Sequence, residues 1–215
     1  MSDIEPPIIL GTHVFAEEVA DLLGDCGEYD LVAFAENWDR ARCATPLLGR
    51  PVLWIDELPD LAATHVAVCA LGTTRRAAYV KQVEAMGFRF ATIRHPTAHV
   101  SSTSTVGPGT IVSAGVVVAS HTTIGRHVIV NRGCLIGHHT TIGDAVTISP
   151  GANIAGRITI GDGTYVGMGA IVLDSLTIGC GSVIAAGSLV TRNVPDHVQV
   201  IGAPARITRQ GVEGR

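Results

Sequence analysis

Residues 121–125 read HTTIG, and eighteen positions later residues 139–143 read HTTIG again. Valine or isoleucine also occupies every sixth position from Val100 to Val190, without an exception. A hexapeptide period with one aliphatic residue per unit is typical of a parallel β-helix, in which each unit forms a short strand and a turn. Three units make one coil, so we expect residues eighteen apart to lie above one another, at about the 4.8 Å spacing of paired strands.

The two HTTIG copies differ in the residue that precedes them. Ser120 precedes the first copy and His138 precedes the second. Both copies are expected on the same edge of successive coils, which places His121 beneath His139. The second copy therefore carries one additional histidine on that edge.

The first ninety residues have a different pattern, in which strands alternate with helices. Strands are predicted at residues 7–11, 29–36, 64–71 and 88–94, and helices at residues 16–23 and 75–87. This order predicts an α/β domain with a small parallel sheet of Rossmann-like type.

Ligands of such sheets bind at the carboxyl ends of the strands. The acceptor-binding candidates are therefore Gly11, Thr12, His13, Glu36 and Asn37. A dinucleotide fingerprint would require GxGxxG, and the turn here has a single glycine, so no intact NAD site is expected. Two alternatives stay open: a mononucleotide whose phosphates face the helix amino terminus, or a sheet that only supports the β-helix.

Composition and charge exclude several classes of protein. The 215 residues are 47% hydrophobic, which is ample for a buried core, and the net charge of −4 argues against nucleic-acid binding. The amino-terminal residues lack the pattern of a signal peptide, and no apolar run approaches the roughly 18 residues of a membrane span. We therefore expect a cytoplasmic protein. Its five scattered cysteines form no CxxC pair and are expected to be reduced.

The hexapeptide repeat, the Rossmann-like domain and the terminal VIGAPAR at 200–206 together resemble the bacterial sugar acyltransferases of the sialic-acid O-acetyltransferase type. The nucleotide-amino-sugar N-acetyltransferases of bacillosamine and perosamine synthesis are similar. The resemblance implies a left-handed β-helix, a homotrimer with active sites between adjacent β-helices, and acetyl-CoA as co-substrate. It divides the chain into an acceptor-binding domain (1–93), an acyltransferase β-helix (94–195) and a coenzyme-binding cap (196–215).

The resemblance also assigns residues to the chemistry. Asn131 and His138 match a family motif in which a histidine follows an asparagine by seven residues. His138 would be the general base, a task suited to a neutral imidazole. The amide of Gly156, one coil above, would bind the developing oxyanion, and Gly156 would also contact the coenzyme. The family usually has a carboxylate after the histidine, but here the residue is His139, so Asn131, a backbone carbonyl or a carboxylate such as Asp144 would have to orient the base.

The carboxy-terminal segment would bind the coenzyme, with Gly202 and Pro204 shaping a turn and Arg206 facing a phosphate. Alternatively, the segment only caps the open end of the β-helix. A second family histidine falls here on Thr147. Stacked histidines can bind zinc, but the HxxxxH pair of β-helical zinc enzymes is absent from the sequence, so no metal is predicted.

We therefore predict an acetyl-CoA-dependent enzyme that acetylates the amine of a nucleotide-linked amino sugar in surface polysaccharide or glycan synthesis. O-acetylation of a sugar such as sialic acid is the close alternative, because both reactions would use His138. A non-catalytic trimeric scaffold is favoured by the missing carboxylate and by Thr147. Retention of Asn131, His138, Gly156 and VIGAPAR favours the enzyme.

Overall fold

The computed structural model describes residues 5–215. These residues form two compact units: one runs up to Gly72 and resumes at Arg76–Thr92, and the other comprises Thr73–Arg75 and Ile93–Arg215. Within the described residues, no helix has the length and apolar character needed to cross a bilayer.

A parallel sheet forms the centre of the first unit. Its strands are β1 (Pro7–Leu10), β2 (Ala33–Glu36), β3 (Val52–Trp54), β4 (Val66–Cys69) and β5 (Arg89–Phe90). They lie in the order β3-β2-β1-β4-β5, and every pairing is parallel. The connections contain helices α1 (Val14–Cys26) and α2 (Arg76–Glu84) and three 3₁₀ helices, at Arg40–Ala44, Ile55–Glu57 and Pro59–Leu61. β1 and β2 are buried along their whole length, as expected for parallel strands covered on both faces.

The predicted elements of this unit differ from the observed ones in three places. The strand predicted at 29–36 begins only at Ala33, where pairing with β1 starts. The strand predicted at 88–94 is broken, because β5 pairs with β4 whereas the next strand, at Ile93–Arg94, pairs inside the second unit. The sequence pattern made no prediction for residues 38–63, which contain β3 and the 3₁₀ helices.

Strands of only two residues, separated by turns, make up most of the second unit. They are β6 (Ile93–Arg94), β7 (His99–Val100), β8 (Thr105–Val106), β9 (Ile111–Val112), β10 (Val117–Val118), β11 (Thr123–Ile124), β12 (Ile129–Val130), β13 (Leu135–Ile136), β14 (Thr141–Ile142), β15 (Thr147–Ile148), β16 (Asn153–Ile154), β17 (Thr159–Ile160), β18 (Tyr165–Val166), β19 (Ile171–Val172), β20 (Thr177–Ile178), β21 (Val183–Ile184) and β22 (Leu189–Val190).

These strands form three parallel sheets, and each strand pairs with the strand three positions further along the chain. Sheet I contains β7, β10, β13, β16, β19 and β22; sheet II contains β8, β11, β14, β17 and β20; sheet III contains β6, β9, β12, β15, β18 and β21. The register advances by eighteen residues per coil, as in the pairing of Ile136 with Ile154. From β7 onward the second residue of each strand points inward, and every sixth residue from Val112 to Val190 is buried; in β6 the buried residue is the first, Ile93. The predicted aliphatic ladder is confirmed, and the arrangement fits a left-handed parallel β-helix.

Buried threonines and close backbone contacts hold successive coils together. The hydroxyl of Thr122 donates to the carbonyl of Gly137 (2.9 Å), and Thr140 makes the equivalent bond to Ala155 (3.3 Å). A Cβ at Gly137 would lie 2.4 Å from the carbonyl carbon of Ala155, so only glycine fits there. These contacts fix the backbone of the edge that carries the HTTIG motifs.

The carboxy-terminal segment extends sheet III. β23 (Val198–Gly202) pairs in parallel with β21, and β24 (Ala205–Gln210) pairs with β23 in antiparallel orientation. The turn between them contains a cis Ala203–Pro204 peptide bond. The division of roles among residues 1–93, 94–195 and 196–215 stays a prediction.

Candidate active site

His138 and His139 lie on the edge between sheets I and II, in the turn that joins β13 to β14. The amide of His139 donates to the Ser120 carbonyl (3.0 Å), and the His138 carbonyl accepts from the amide of Arg157 (2.8 Å), so the turn is tied to the coils below and above. His139 has a φ of 56°, in the left-handed region. The two side chains are exposed, and the following residue, Thr140, is buried. The backbone is therefore fixed while both imidazoles remain accessible.

The two imidazoles are hydrogen-bonded to each other. Their Nδ1 atoms are 3.1 Å apart, and the rings are nearly perpendicular, with an interplanar angle of 86°. In a neutral imidazole one ring nitrogen carries a proton and the other accepts, so one of these Nδ1 atoms donates and the other accepts. When both rings are neutral, the ring that donates therefore carries its proton on Nδ1, and the ring that accepts carries its proton on Nε2.

Gly156 lies directly against the His138 ring, nearest to its Cε1 and Nε2 atoms. A Cβ at position 156 would be 2.8 Å from both Cε1 and Nε2 of His138, so the ring occupies the space that a side chain would need. Among residues 5–215, no acceptor is hydrogen-bonded to the Gly156 amide. Gly156 therefore lies one coil above His138, as predicted. Its backbone N–H, which is unpaired within residues 5–215, belongs to the residue that contacts Nε2 of His138.

His121 lies beneath His139, as the repeat predicts. Their ring centroids are 4.9 Å apart and the rings are tilted by 48°. In the part of the chain that the structure describes, no group of three or more His, Cys, Asp or Glu side chains has a geometry that could hold a metal ion.

The groups expected to orient His138 are engaged elsewhere within the chain. Asp144 accepts from the amide of Arg126 (2.7 Å). Asn131 follows β12 in sheet III, and its side-chain oxygen accepts from the amide of Arg132 (3.0 Å). Within the described residues, neither the Asp144 side chain nor the Asn131 side chain is hydrogen-bonded to His138. The side chain that is hydrogen-bonded to His138 is that of His139. Thr147, at the position of the second family histidine, is a buried residue of β15.

Three of the four coenzyme-binding candidates lie on the β23–β24 hairpin, and the fourth, Gly156, lies against His138 in the β-helix. Gly202 has a φ of 107°, which a residue with a side chain rarely adopts, and Pro204 occupies the turn. Arg206 lines a cavity of about 310 Å³ together with Arg192 and apolar side chains of β22 to β24. Two arginines, together with the polar residues Thr191 and Asn193, therefore line a mainly apolar cavity at the end of the β-helix.

The acceptor-binding candidates of the first unit surround the carboxylate of Glu36, at the carboxyl end of β2. The Thr12 hydroxyl donates to Oε2, and the amides of Asn37, Trp38 and Asp39 donate to Oε1. Burial by itself would raise the pKa of Glu36, but these hydrogen bonds together lower the pKa below its usual value. Both carboxylate oxygens are used by the protein itself, so Glu36 shapes the loop that follows β2.

Two further candidates, Gly11 and His13, lie in the turn before α1, and Asn37 directly follows β2. Gly11 has a φ of 117° and its amide donates to the Ala35 carbonyl (2.9 Å). His13 is the exposed N-cap residue of α1, and its side chain makes no capping hydrogen bond. The Asn37 side chain donates to Gln82 (3.2 Å).

Two residues at this end of the sheet, Arg42 and Trp38, were not predicted from the sequence. The Arg42 guanidinium donates to the Thr12 carbonyl (3.1 Å), which places a positive charge close to the amino terminus of α1. Trp38, on the loop held by Glu36, is 91% exposed. Both residues follow the predicted strand end at Glu36, and this position was the only signal in the sequence.

No protein-family model and no curated protein sequence matches the chain. Solved structures do match. Perosamine N-acetyltransferase from Caulobacter crescentus, solved as a histidine-to-asparagine variant with CoA and GDP-perosamine, is 30% identical, with a TM-score of 0.88 over 96% of this chain and 98% of that chain. The acetyltransferase domain of PglB from Neisseria gonorrhoeae, in complex with acetyl coenzyme A, is 28% identical, with a TM-score of 0.87 over 95% of this chain and 99% of that chain. WeeI from Acinetobacter baumannii is 28% identical, with a TM-score of 0.87 over 94% of this chain and 99% of that chain.

Proposed function

This chain belongs to the hexapeptide-repeat acetyltransferases of the perosamine and bacillosamine type, and we propose that it transfers an acetyl group from acetyl-CoA to the amine of a nucleotide-linked amino sugar. The observation that carries this proposal is the contact between His138 and Gly156. It brings an accessible imidazole nitrogen next to a residue with an unpaired amide. These are the two groups that acyl transfer requires.

In the proposed reaction, the acceptor nitrogen attacks the thioester carbonyl carbon and Nε2 of His138 removes a proton from that nitrogen. The new C–N bond forms as the carbonyl π electrons move to oxygen, and the Gly156 N–H stabilises the resulting oxyanion. Collapse of the tetrahedral intermediate breaks the C–S bond. The proton held by His138 then returns to the CoA thiolate, which leaves as the free thiol.

We assign the acceptor to the carboxyl edge of the first sheet, which we interpret as a Rossmann-like sheet. Its strand order, and the position of α1 directly after β1, support this assignment. The turn at Gly11, Thr12 and His13 opens α1, whose amino terminus favours phosphate, and Arg42 adds a positive charge there. Glu36 acts indirectly, because it orders the loop that presents Asn37 and Trp38.

We assign the coenzyme to the hairpin at the end of the β-helix. Gly202 and Pro204 form its turn, and Arg206 with Arg192 offers charge to coenzyme phosphates beside an apolar cavity. A scaffold would have no use for such a cavity. We further propose that the reaction takes place in the cytoplasm and supplies surface polysaccharide or glycan synthesis.

We propose a homotrimer, supported by the difference between two outer faces of the β-helix. Sheet I presents Val117, Leu135 and Ile171, which are 41%, 45% and 45% exposed; we call these the apolar ladder. The polar residues His99 and Asn153 occupy two further outward positions of this sheet, with Asn153 between Leu135 and Ile171. Sheet II presents only exposed threonines, the threonine ladder, at positions 105, 123, 141, 159 and 177. Exposed apolar surface of this kind marks an interface between proteins. Asn131 lies on a different edge from His138, as expected if the site is completed by a neighbouring copy.

The test of the activity is release of free thiol from acetyl-CoA with a panel of nucleotide-linked amino sugars. Each amino sugar is paired with the corresponding hydroxyl sugar, and wild type is compared with His138→Ala. Turnover with an amino sugar that is lost in the variant supports the proposal. Turnover with hydroxyl sugars alone would establish O-acetylation instead, and no release with any acceptor would favour the scaffold.

The test of assembly is sedimentation of matched variants. Leu135→Arg, in the apolar ladder, should dissociate the trimer because it places a charge in the interface. Thr141→Arg, in the threonine ladder, should leave the trimer intact. A monomeric wild-type protein at micromolar concentration, or equal behaviour of the two variants, would contradict this interface.

A further inference from the structure

The Nδ1 to Nδ1 hydrogen bond between His138 and His139 restricts the tautomers of both rings. If His138 donates, its Nε2 carries the lone pair; if His139 donates, His138 has its proton on Nε2. Only the first arrangement leaves His138 able to remove a proton at Nε2. The direction of this hydrogen bond therefore decides whether Nε2 of His138 can act as a base.

Contacts on the His138 ring show which nitrogen faces the reaction. Nδ1 of His138 is 3.1 Å from Nδ1 of His139. A Cβ at Gly156, the residue with the unpaired amide, would lie 2.8 Å from Nε2 and Cε1 of His138 and 3.2 Å from its Nδ1, so Nε2 is the nearer of the two nitrogens. No partner is hydrogen-bonded to Nε2 among the residues from 5 to 215. Since Nδ1 is engaged and Nε2 is open beside the oxyanion donor, Nε2 is the atom that must hold the lone pair.

We propose that His139 is a positioning residue that accepts the Nδ1–H of His138 at its own Nδ1 and so keeps Nε2 of His138 unprotonated. This inference rests on the proposed acetyltransferase function. His139 takes the place of an orienting carboxylate while remaining uncharged. When His138 takes a proton from the acceptor, the pair carries a single positive charge, and the Nδ1 hydrogen bond is retained.

The backbone places the His139 ring where it can accept this bond. It is in the left-handed region, with a φ of 56°, and the His139 amide is bonded to Ser120. The residue above, Arg157, is directed away, since its guanidinium donates to Ser175 (3.0 Å) and Asp174 (3.4 Å). The Nδ1 of His139 is thus left facing His138.

A kinetic test uses three substitutions that the left-handed backbone accepts. Glycine removes the acceptor without backbone strain, asparagine supplies a neutral acceptor, and aspartate supplies an anionic one. His139→Gly should lower kcat by about ten- to hundredfold, the usual effect of losing a group that orients a functional histidine, while KM for both substrates changes less than about twofold. His139→Asn and His139→Asp should recover most of the lost kcat.

The matched control is His121→Gly, which changes the same position one coil below and removes no hydrogen bond from His138. It should leave kcat within about twofold of wild type. A wild-type kcat in His139→Gly would overturn the proposal. So would an equal loss in His121→Gly, because packing in the histidine column would then be responsible.

A spectroscopic test does not depend on turnover. In protein labelled with ¹⁵N in histidine, the signals of His138 are identified by their loss in His138→Ala. At neutral pH in wild type, Nδ1 should show the shift of a protonated ring nitrogen and Nε2 that of an unprotonated one, and His139→Gly should show a mixture. A protonated Nε2 in wild type would disprove the assignment. Because the spectrum reports on the free protein, an inactive panel of acceptors would contradict the proposed function without deciding this one.

Discussion

The two copies of HTTIG share one backbone and differ in their outward chemistry. His121 and His139 both have a φ of 56°, and Thr122 and Thr140 both bond a carbonyl of the next coil. Outside, the first copy has Ser120 with His138 above it, and the second has His138 with Gly156 above it. The inward residues therefore determine the coil, and the outward residues of two successive coils determine whether a site exists.

Above Ser120, the equivalent position is filled by the His138 ring, whereas above His138 the glycine leaves room for the imidazole. We propose that an active edge in this repeat needs both a histidine and a glycine eighteen residues later, so that a histidine alone would be insufficient.

His138→Ala should lower kcat by about 10²- to 10⁴-fold, because it removes the proposed base. The equivalent change in the first copy, Ser120→Ala, should have no measurable effect. Steady-state kinetics of both variants with acetyl-CoA and an active acceptor test this contrast. A similar loss in both would show that the edge as a whole, and not the second copy, carries the reaction.

Gly156→Ala should lower kcat by about ten- to hundredfold while leaving the protein folded, since a new methyl group would lie 2.8 Å from the His138 ring and must displace it. The ring is the end of a side chain and can move, so the coil itself is preserved. In a His138→Ala background the same substitution should cost nothing further, which a double-mutant cycle would measure. Additive losses in that cycle would mean that Gly156 acts independently of His138.

Thr122→Val and Thr140→Val should each reduce the free energy of unfolding by about 1–3 kcal/mol, because a carbonyl of the next coil loses its buried donor. For a chain of this length that corresponds to about 2–4 °C in Tm per kcal/mol. Thermal denaturation at one fixed protein concentration is the measurement. Clearly unequal shifts in Tm would show that the inward halves of the two copies are not equivalent.

Ser120→His in the His138→Ala background should restore no activity, because the new imidazole would lie two coils below the proposed oxyanion donor at Gly156, whereas His138 lies one coil below it. In the wild-type background the same change should leave kcat unaltered. Recovery of even tenfold activity in the double variant would contradict the requirement for two specific coils.

Sequence alone predicted the β-helix well because its signal is local and repetitive. The aliphatic ladder and the position of His121 beneath His139 follow from a period of six and a coil of eighteen, and both are confirmed. In the first unit, the broken strand at 88–94 could not be predicted, because the break depends on which sheet each half joins.

The candidate site was predictable in position and not in detail. The order of residues places His138 beneath Gly156, but the bond between His138 and His139 depends on the side-chain rotamers of two exposed rings. Likewise, the sequence placed Glu36 at the carboxyl end of β2. The hydrogen bonds that its carboxylate accepts from the Thr12 hydroxyl and from the amides of residues 37–39 depend on the path of the following loop, which the sequence pattern did not predict. The sequence period predicts the coil in which a residue lies. It does not predict the group to which the side chain is hydrogen-bonded.

Because the coils of the repeat contain eighteen residues in a fixed register, distances along the β-helix axis are whole multiples of one coil. Three coils separate the level of β14 and β15 from the β23–β24 hairpin, an axial distance of about 14 Å at the usual strand spacing. Inserting or deleting eighteen residues between them would change that distance by one coil, about 4.8 Å, and leave each remaining coil intact. The span between the proposed base and the proposed coenzyme hairpin is thus adjustable in whole coils, and the repeat can match it to the length of an extended donor arm.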